Sequence, residues 1–324
     1  MLGAEALERL RRSCVLVAGL GGVGAFAAEM LARAGVGRLV LVDHDCVTLT
    51  NRNRQLLALE STMGKEKTEV MAARLRDINP AIELTLHHLY IHEDTAPALL
   101  SGNPPDSSVH SFDSSVHPHD SSAHPVDFVV DAIDTLSPKI ALICAAVARN
   151  IPLVSSMGAG AKRDATQVRI ADISKSYNCP LAFMLRKRLR KMGIRKGFQA
   201  VFSTELPDTQ AIVPCEARNK KSQVGTISYL PAVFGCVCAQ AAIDGITKAA
   251  IDGITKAAID GITKAAIDGI TKAAIDGITQ AAIDGITKAA IDGITNAAID
   301  GITKAAIDGI TKNVILAEKL TNLT

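Results

Sequence analysis

The sequence predicts an α/β protein: a Rossmann-like, doubly wound, mainly parallel sheet with helices on both faces, followed by a low-complexity C-terminal tail. Three observations carry this. Short apolar runs of strand length alternate with helical stretches, a glycine-rich turn joins the first such run to a helix, and residues 241–312 are nearly perfect copies of one octapeptide.

Cys14 to Ala18 reads as a short buried strand. Gly19-Leu20-Gly21-Gly22-Val23-Gly24 then opens an apolar helical stretch to about Ala34, and Arg38 to Val42 reads as a second strand, which completes a β-α-β unit. A helix is expected from about Lys65 to Ile78, stopped by Asn79-Pro80, with a third strand from Ile82 to Leu86. Residues 103–126 hold three tandem heptads of the Asp-Ser-Ser-Val-His kind, too polar and too rich in proline for a core, so a disordered surface insert is expected. A slipped repeat explains the even spacing of His110, His117 and His124 without a metal. Regular structure resumes with a strand over Asp127 to Ala132, a helix from about Pro138 to Arg149 and a strand from Ile151 to Ser155. Beyond Ser156, strand-like pieces at Gln167 to Ile170 and Gln199 to Phe202 flank a basic helix and are expected to extend the same sheet.

From Ala241 to Lys312 the unit A-A-I-D-G-I-T-K occurs nine times, with Gln280 and Asn296 in place of its lysine. At 100° per residue the Ile pair of each copy advances by about 80°, so the apolar stripe spirals and no face stays buried. Each copy also puts a glycine into the helix, at a cost of roughly 1 kcal/mol relative to alanine. A marginal helix or a collapsed, disordered tail is expected, with residues 313–324 as the C-terminal end.

The charge of the 324-residue chain is nearly balanced, 35 Lys and Arg against 33 Asp and Glu, which excludes indiscriminate polyanion binding by the molecule as a whole. The octad tract holds nine Asp and seven Lys, so the other 252 residues carry 28 basic and 24 acidic groups. Residues 1–240 are therefore the functional domain. Seven cysteines with no C-x-x-C pair argue against a zinc ribbon. The charged N-terminus is unlike a signal peptide, and no run approaching the ~20 apolar residues of a membrane span is expected. A reduced cytoplasmic protein with no membrane attachment follows.

Gly19, Gly21 and Gly24 fit G-x-G-x-x-G at a strand-to-helix junction, where backbone N–H groups and the helix dipole meet anionic phosphate; Gly22 lies within the same turn. Asp43, nineteen residues beyond Gly24, is placed to accept hydrogen bonds from ribose hydroxyls. These features indicate an adenine nucleotide without saying which. The next segment, Asn51-Arg52-Asn53-Arg54-Gln55, and Lys67 thirteen residues past Arg54 favour ATP over a dinucleotide, because charge on reacting phosphoryl oxygens needs fixed cationic donors. A solvated basic face is the alternative for Arg52, Arg54 and Lys67. Asp131 and Asp134 end a strand at the ligand-binding edge of the sheet; Asp134, just past the strand, is the choice for Mg²⁺, and Asp131 for a cap or turn.

With Leu41-Val42-Asp43-His44-Asp45 and Val130-Asp131-Ala132-Ile133-Asp134, these segments resemble the ThiF/MoeB superfamily of ATP-dependent adenylating enzymes related to ubiquitin-activating enzymes. Narrower features, Asp134 through Lys139, Ser155 through Gly160, Ala171 through Lys175 and Val201 through Glu205, are similar to the branch that dehydrates threonylcarbamoyladenosine in tRNA. The resemblance implies that a substrate carboxylate attacks the α-phosphate of ATP and that the acyl-adenylate closes to a cyclic form with release of AMP. It puts Gly21 and Gly22 at the phosphates, Asp43 on the ribose, Arg54 and Lys67 on the reacting phosphates and Asp134 on Mg²⁺, with Asn51 in the nucleotide-binding segment. It also implies a homodimer and a sulfur-relay protein as a further partner. Arg186-Lys187-Arg188-Leu189-Arg190-Lys191, with Arg195 and Lys196, suits a tRNA backbone, with Arg186, Lys187 and Arg190 as the expected contacts; an ordinary solvated face is the alternative. Competing functions are adenylation of the C-terminus of a ubiquitin-like sulfur carrier, nicotinamide-dependent redox chemistry, and an inactive nucleotide-binding relative. Cys215, in an irregular segment after Glu205, is expected to be a bystander.

Overall fold

The structure is a computed structural model that describes residues 2–101, 125–217 and 220–247, with side chains left out at 212–223. The heptad insert and the octad tail beyond Thr247 lie outside the described residues. Seven strands form one sheet: β1 Cys14–Ala18, β2 Arg38–Val42, β3 Glu83–His87, β4 Phe128–Asp131, β5 Leu153–Ser156, β6 Val168–Asp172 and β7 Gln199–Ser203, in the order β3-β2-β1-β4-β5-β7-β6. All neighbours pair in parallel except β6, which closes the edge antiparallel to β7. The helices are α1 Ala4–Arg12, α2 Gly24–Arg33, α3 Lys67–Ile78, α4 Thr95–Leu100, α5 Leu136–Ala148, α6 Pro180–Lys191 and α7 Tyr229–Thr247. A separate antiparallel hairpin joins β8 Ile212–Ala217 to β9 Lys220–Val224.

Strand alternation divides the core into two layers. Val15 and Val17, Leu39 and Leu41, and Phe128 and Val130 face α2, α3 and α7, while Leu16, Val40, Val42 and Val129 face α4, α5 and α6. Both faces of the central strands are thus buried, which explains why β1, β2 and β4 are written as continuous Val, Leu and Ala runs rather than as alternating ones. Glu29 of α2 ties the outer helix layer together, accepting from Arg33 at 2.9 Å and from Arg74 of α3 at 2.6 Å.

Two sequence expectations are corrected. Cys215 lies within β8 and not in an irregular segment. The expected lack of an apolar run of membrane-spanning length fails, by length and composition alone, for the 19-residue α7, which contains an 18-residue window of mean hydropathy 1.5. Its apolarity is accounted for by packing: Leu230, Phe234, Cys238 and Ala242 are buried in the core, and Gly235 lies so close to α2 that a Cβ would meet the side chain of Phe26 at 2.8 Å.

The helix also carries the first octad copy as far as Thr247. Ala241 and Ala242 are buried there, and a Cβ on Gly245 would stand 2.5 Å from the Phe128 ring. The glycine that weakens a free octad helix is, in this copy, what lets it seat on β4. Arg9 of α1 donates to the Thr247 carbonyl at 3.3 Å.

His87, at the end of β3, is buried with no partner for Nδ1 among the described residues, and burial pushes its imidazole below the usual value of 6.5. The unfolded chain then binds the extra proton first, so stability is complete above pH ~6.5 and falls as pH drops below it, by up to ~1.4 kcal/mol per pH unit. Urea unfolding of His87→Leu from pH 8 to 5 is expected to show a shallower acid limb than that of the parent chain. Parallel limbs would exclude His87 as the source.

Candidate adenylation site

The register of the three central strands assembles the site. Ala18 lies opposite Val42 on one side and Asp131 on the other, so Gly19, Asp43 and Ala132 are the next residues at one edge of the sheet. The strand order reverses there, with β1 connecting to β2 and β4 lying on its other side, which opens a ligand crevice at the C-terminal strand ends.

Glycine is required at this turn for stated reasons. Gly19 has φ +85°, and a Cβ on it would come within 2.9 Å of the Ala132 carbonyl. A Cβ on Gly24 would collide with the Gly19 carbonyl, and one on Gly22 would meet Pro231 of α7 at 2.9 Å and the Arg54 carbonyl at 3.3 Å. No side chain caps the start of α2 and no acid lies in its first turn, so the positive helix end faces the turn without a competing anion from its own sequence.

A chain of hydrogen bonds and ion pairs links the turn to Lys67. The Leu20 N–H donates to Asp43 Oδ2 at 2.6 Å, and the Asp45 N–H donates to Oδ1 at 2.8 Å. Lys67, 3% exposed at the first position of α3, lies 4.0 Å from Asp43 and donates to Asp45 Oδ2 at 2.8 Å. Arg54 stands on the other side of the turn, its Cγ 3.5 Å from where a Cβ of Gly22 would be, and donates to the Thr50 carbonyl and to Asn53 Oδ1, each at 3.0 Å. Arg52 points elsewhere, into an ion pair with Glu60.

Asn51 builds this segment. Its Oδ1 accepts from the Thr48 N–H at 3.2 Å, and its carbonyl accepts from the N–H groups of Arg54 and Gln55. Sequence reasoning placed Gln55 in the motif and assigned it nothing. Its Oε1 is buried without a partner among the described residues, and its Nε2 faces Gly21 at 3.5 Å from a Cβ there. The Nε2 donor of this amide is therefore the group placed against the phosphate turn.

Asp134 is exposed, two residues beyond the Ala132 carbonyl that packs on Gly19. Asp131 is no cap. It is completely buried, accepting from Lys139 Nζ at 2.7 Å and from Ser155 Oγ at 2.6 Å, while its Oδ1 accepts from the Ile133 N–H at 3.1 Å. A hollow of about 330 Å³ lined by Tyr90, Ile91, His92, Glu93, Asp94, Ser137 and Ala141 opens beside the first turn of α5. Among the described residues the one grouping of three metal-capable side chains is Asp43, His44 and Asp45, with no cysteine cluster.

On the substrate side, Lys162 is buried and donates to the carbonyls of Asn178 at 2.9 Å and Ser203 at 2.8 Å; burial pushes its ammonium below the usual lysine value. Asn178, at φ 51°, donates to the Thr204 carbonyl at 2.7 Å. Both contacts hold the entry of α6 at the C-terminal end of β7. Arg186 turns inward to the carbonyl and hydroxyl of Ser176, so of the three expected tRNA contacts Lys187 and Arg190 face outward and Arg186 anchors the helix.

With this geometry the chain matches the ThiF family over residues 1–266. It belongs to that family. It is 42% identical over 255 residues to the tRNA threonylcarbamoyladenosine dehydratase of Bacillus subtilis (strain 168), covering 76% of this chain and 92% of that protein. It is 34% identical over 261 residues to the Escherichia coli (strain K12) protein of the same name, covering 75% and 89%. The crystal structure of the E. coli dehydratase, TcdA, in complex with ATP superposes with a TM-score of 0.64 at 34% identity, over 77% of this chain and 91% of that one. Within the ThiF family fold, the seven-stranded sheet and the glycine turn of this chain are thus where sequence reasoning put them.

Proposed function

We propose that this chain catalyses the ATP-dependent dehydration of threonylcarbamoyladenosine in tRNA. The observation that carries the reading is the pair of cations flanking one glycine turn: Lys67, joined to the turn through Asp43, and Arg54, packed on Gly22. A nicotinamide dinucleotide, whose pyrophosphate does not react, has little use for both; a triphosphate under attack develops the charge they offset.

The substrate carboxylate attacks the α-phosphorus, the bond to the bridging oxygen breaks, and pyrophosphate leaves. The acyl-adenylate is then attacked by a nucleophilic atom of the same modified nucleoside; the ring bond forms, a proton is lost, and AMP departs with the former carboxylate oxygen. Closure relies on proximity, because both reacting groups belong to one nucleoside. The turn from Gly19 to Gly24 and the start of α2 cradle phosphate oxygens. Asp43 spends two acceptor sites on Leu20 and Asp45, which leaves carboxylate capacity for ribose hydroxyls. Asp134 is the residue that would hold Mg²⁺, a single carboxylate beside phosphates being a usual magnesium environment; the ion, when bound, offsets phosphate charge. The same reading carries a homodimer, a sulfur-relay partner and a cytoplasmic setting.

The test is incubation with ATP, Mg²⁺ and tRNA bearing the modified nucleoside, following AMP and the nucleoside mass together. Equimolar AMP and loss of one water are expected; AMP with unchanged tRNA would reassign the acceptor. Lys187→Ala with Arg190→Ala is expected to raise the tRNA KM several-fold and to flatten its salt dependence, by about 0.7 to 0.9 in log–log slope per lost phosphate contact. An unchanged slope removes this helix from the tRNA surface.

A further inference from the structure

The outward side of α6 is not only basic. At 100° per residue, Ala182, Leu185 and Leu189 fall on one side and are buried, while Phe183, Lys187, Arg190 and Lys191 fall within about 100° of one another on the opposite side. Phe183 is 58% exposed, Met184 beside it 39%, and Tyr177, just before the helix, 52%. Tyr177 is held edge-on to Phe202 of β7, with ring centroids 5.5 Å apart. Lys187, Arg188, Arg190, Lys191, Arg195 and Lys196 are exposed, and among the described residues none pairs with a carboxylate. The contrast with α1 is informative: there Arg9 pairs with Glu5, and Arg11 and Arg12 pair with Glu8. A solvated basic helix looks like α1. An un-neutralised one tipped with bare aromatic surface looks like a site for single-stranded nucleic acid, in which bases stack on rings and phosphates meet cations.

The helix is oriented for this. Asn178 and Lys162 fix its first turn at the C-terminal end of β7, the same edge of the sheet that bears the glycine turn, and Ile173 and Gly197 meet at the opposite edge through Phe198 and Asp172. The aromatic end of α6 thus stands on the adenylation edge, three strands or ~14 Å across from β1 at the usual strand spacing. The cations run away from it.

We propose that Phe183, with Met184 at its side, is a stacking platform for an unpaired base flanking the modified adenosine, and that Lys187, Arg190 and Lys191 hold the RNA backbone leading from it. This rests on the tRNA reading above. Bases in an unpaired loop can be splayed out, and one flanking the modified adenosine gains a ring to stack on. Phe183 therefore selects unpaired RNA, and the cations add affinity without selecting.

The experiment measures RNA binding by the full chain apart from turnover. The probes are an unmodified RNA stem-loop and a fully paired RNA duplex of equal length, tested against the parent chain, Phe183→Ala, Phe183→Trp and Lys187→Ala/Lys191→Ala. The exposed ring can be removed without loss of core packing. Phe183→Ala is expected to weaken stem-loop binding about ten-fold or more and to leave duplex binding unchanged. Phe183→Trp is expected to retain stem-loop affinity, and the double lysine variant to weaken both probes and reduce the salt slope. Stem-loop binding by Phe183→Ala equal to that of the parent, or an equal loss on both probes, overturns the proposal. So does a change in oligomeric state on removing the ring, which would make this face a contact between copies. Turnover of modified tRNA by the parent chain is scored separately: its absence defeats the functional reading, whereas a Phe183-independent stem-loop affinity defeats only the platform.

Discussion

Arg54→Ala and Lys67→Ala are each expected to lower turnover by about 10³-fold or more, the scale on which fixed cations act in phosphoryl transfer. The loss should appear in kcat and kcat/KM together, because the charge they offset develops in the transition state and not in bound ATP. Neither variant should unfold the protein. Removing Arg54 releases the Thr50 carbonyl and Asn53 Oδ1, both in an exposed segment. Removing Lys67 leaves Asp45, whose side chain is half exposed and can be hydrated, and the buried Asp43, whose carboxylate keeps the N–H donors of Leu20 and Asp45. Thermal unfolding within a few degrees of the parent, with activity gone, is the expected pair of results. Arg54→Lys sharpens the test: it keeps the charge and loses the two-pronged guanidinium, so an intermediate rate is expected if phosphate geometry matters. Near-normal rates in either alanine variant would mean that the cations flank the turn for another reason, and the triphosphate assignment would go with them.

How much of this site was legible beforehand depends on where its signals lie in the chain. β1 and β2 were predicted to the residue, because a strand buried on both faces is an uninterrupted apolar run bounded by a turn. The glycine turn, Asp43, Arg54 and Lys67 are local in sequence or periodic about the strands, and the parallel register then brings them to one edge. What stayed hidden is what depends on tertiary contact. α4 is six residues with Pro97 inside it, too short to show a helical period. The seating of the first octad copy depends on Phe128, over a hundred residues away. Gln55 is an ordinary polar residue until its side-chain amide is found with Nε2 against the turn. Asp131 was expected only to cap or turn the chain, and Lys139 had no role of its own, since composition cannot tell a solvated charge from a buried pair.

That pair carries the second large expected effect. Asp131 and Lys139 are both wholly buried, and the ammonium also donates to Ser155 Oγ at 3.1 Å and to the Ser156 carbonyl at 3.0 Å. Removing one partner leaves an uncompensated charge in the core, so Lys139→Met or Asp131→Leu alone is expected to cost about 3 to 5 kcal/mol. At roughly 2 to 4 °C per kcal/mol for a domain of this size, the melting temperature should fall by on the order of 10 °C. The double variant should recover most of that loss, because neither charge then remains to be desolvated; the coupling follows from the four-protein cycle. Activity is expected not to recover with stability. Asp131 Oδ1 holds the Ile133 N–H, and the Ala132–Ile133 backbone is the wall against which Gly19 closes. With leucine at 131 that peptide loses its anchor, the turn loosens, and the ATP KM should rise even in a protein that melts near the parental temperature. Recovery of both properties in the double variant would reduce the pair to packing, whereas stability regained with a weakened ATP site assigns it the job of stiffening the phosphate turn from below.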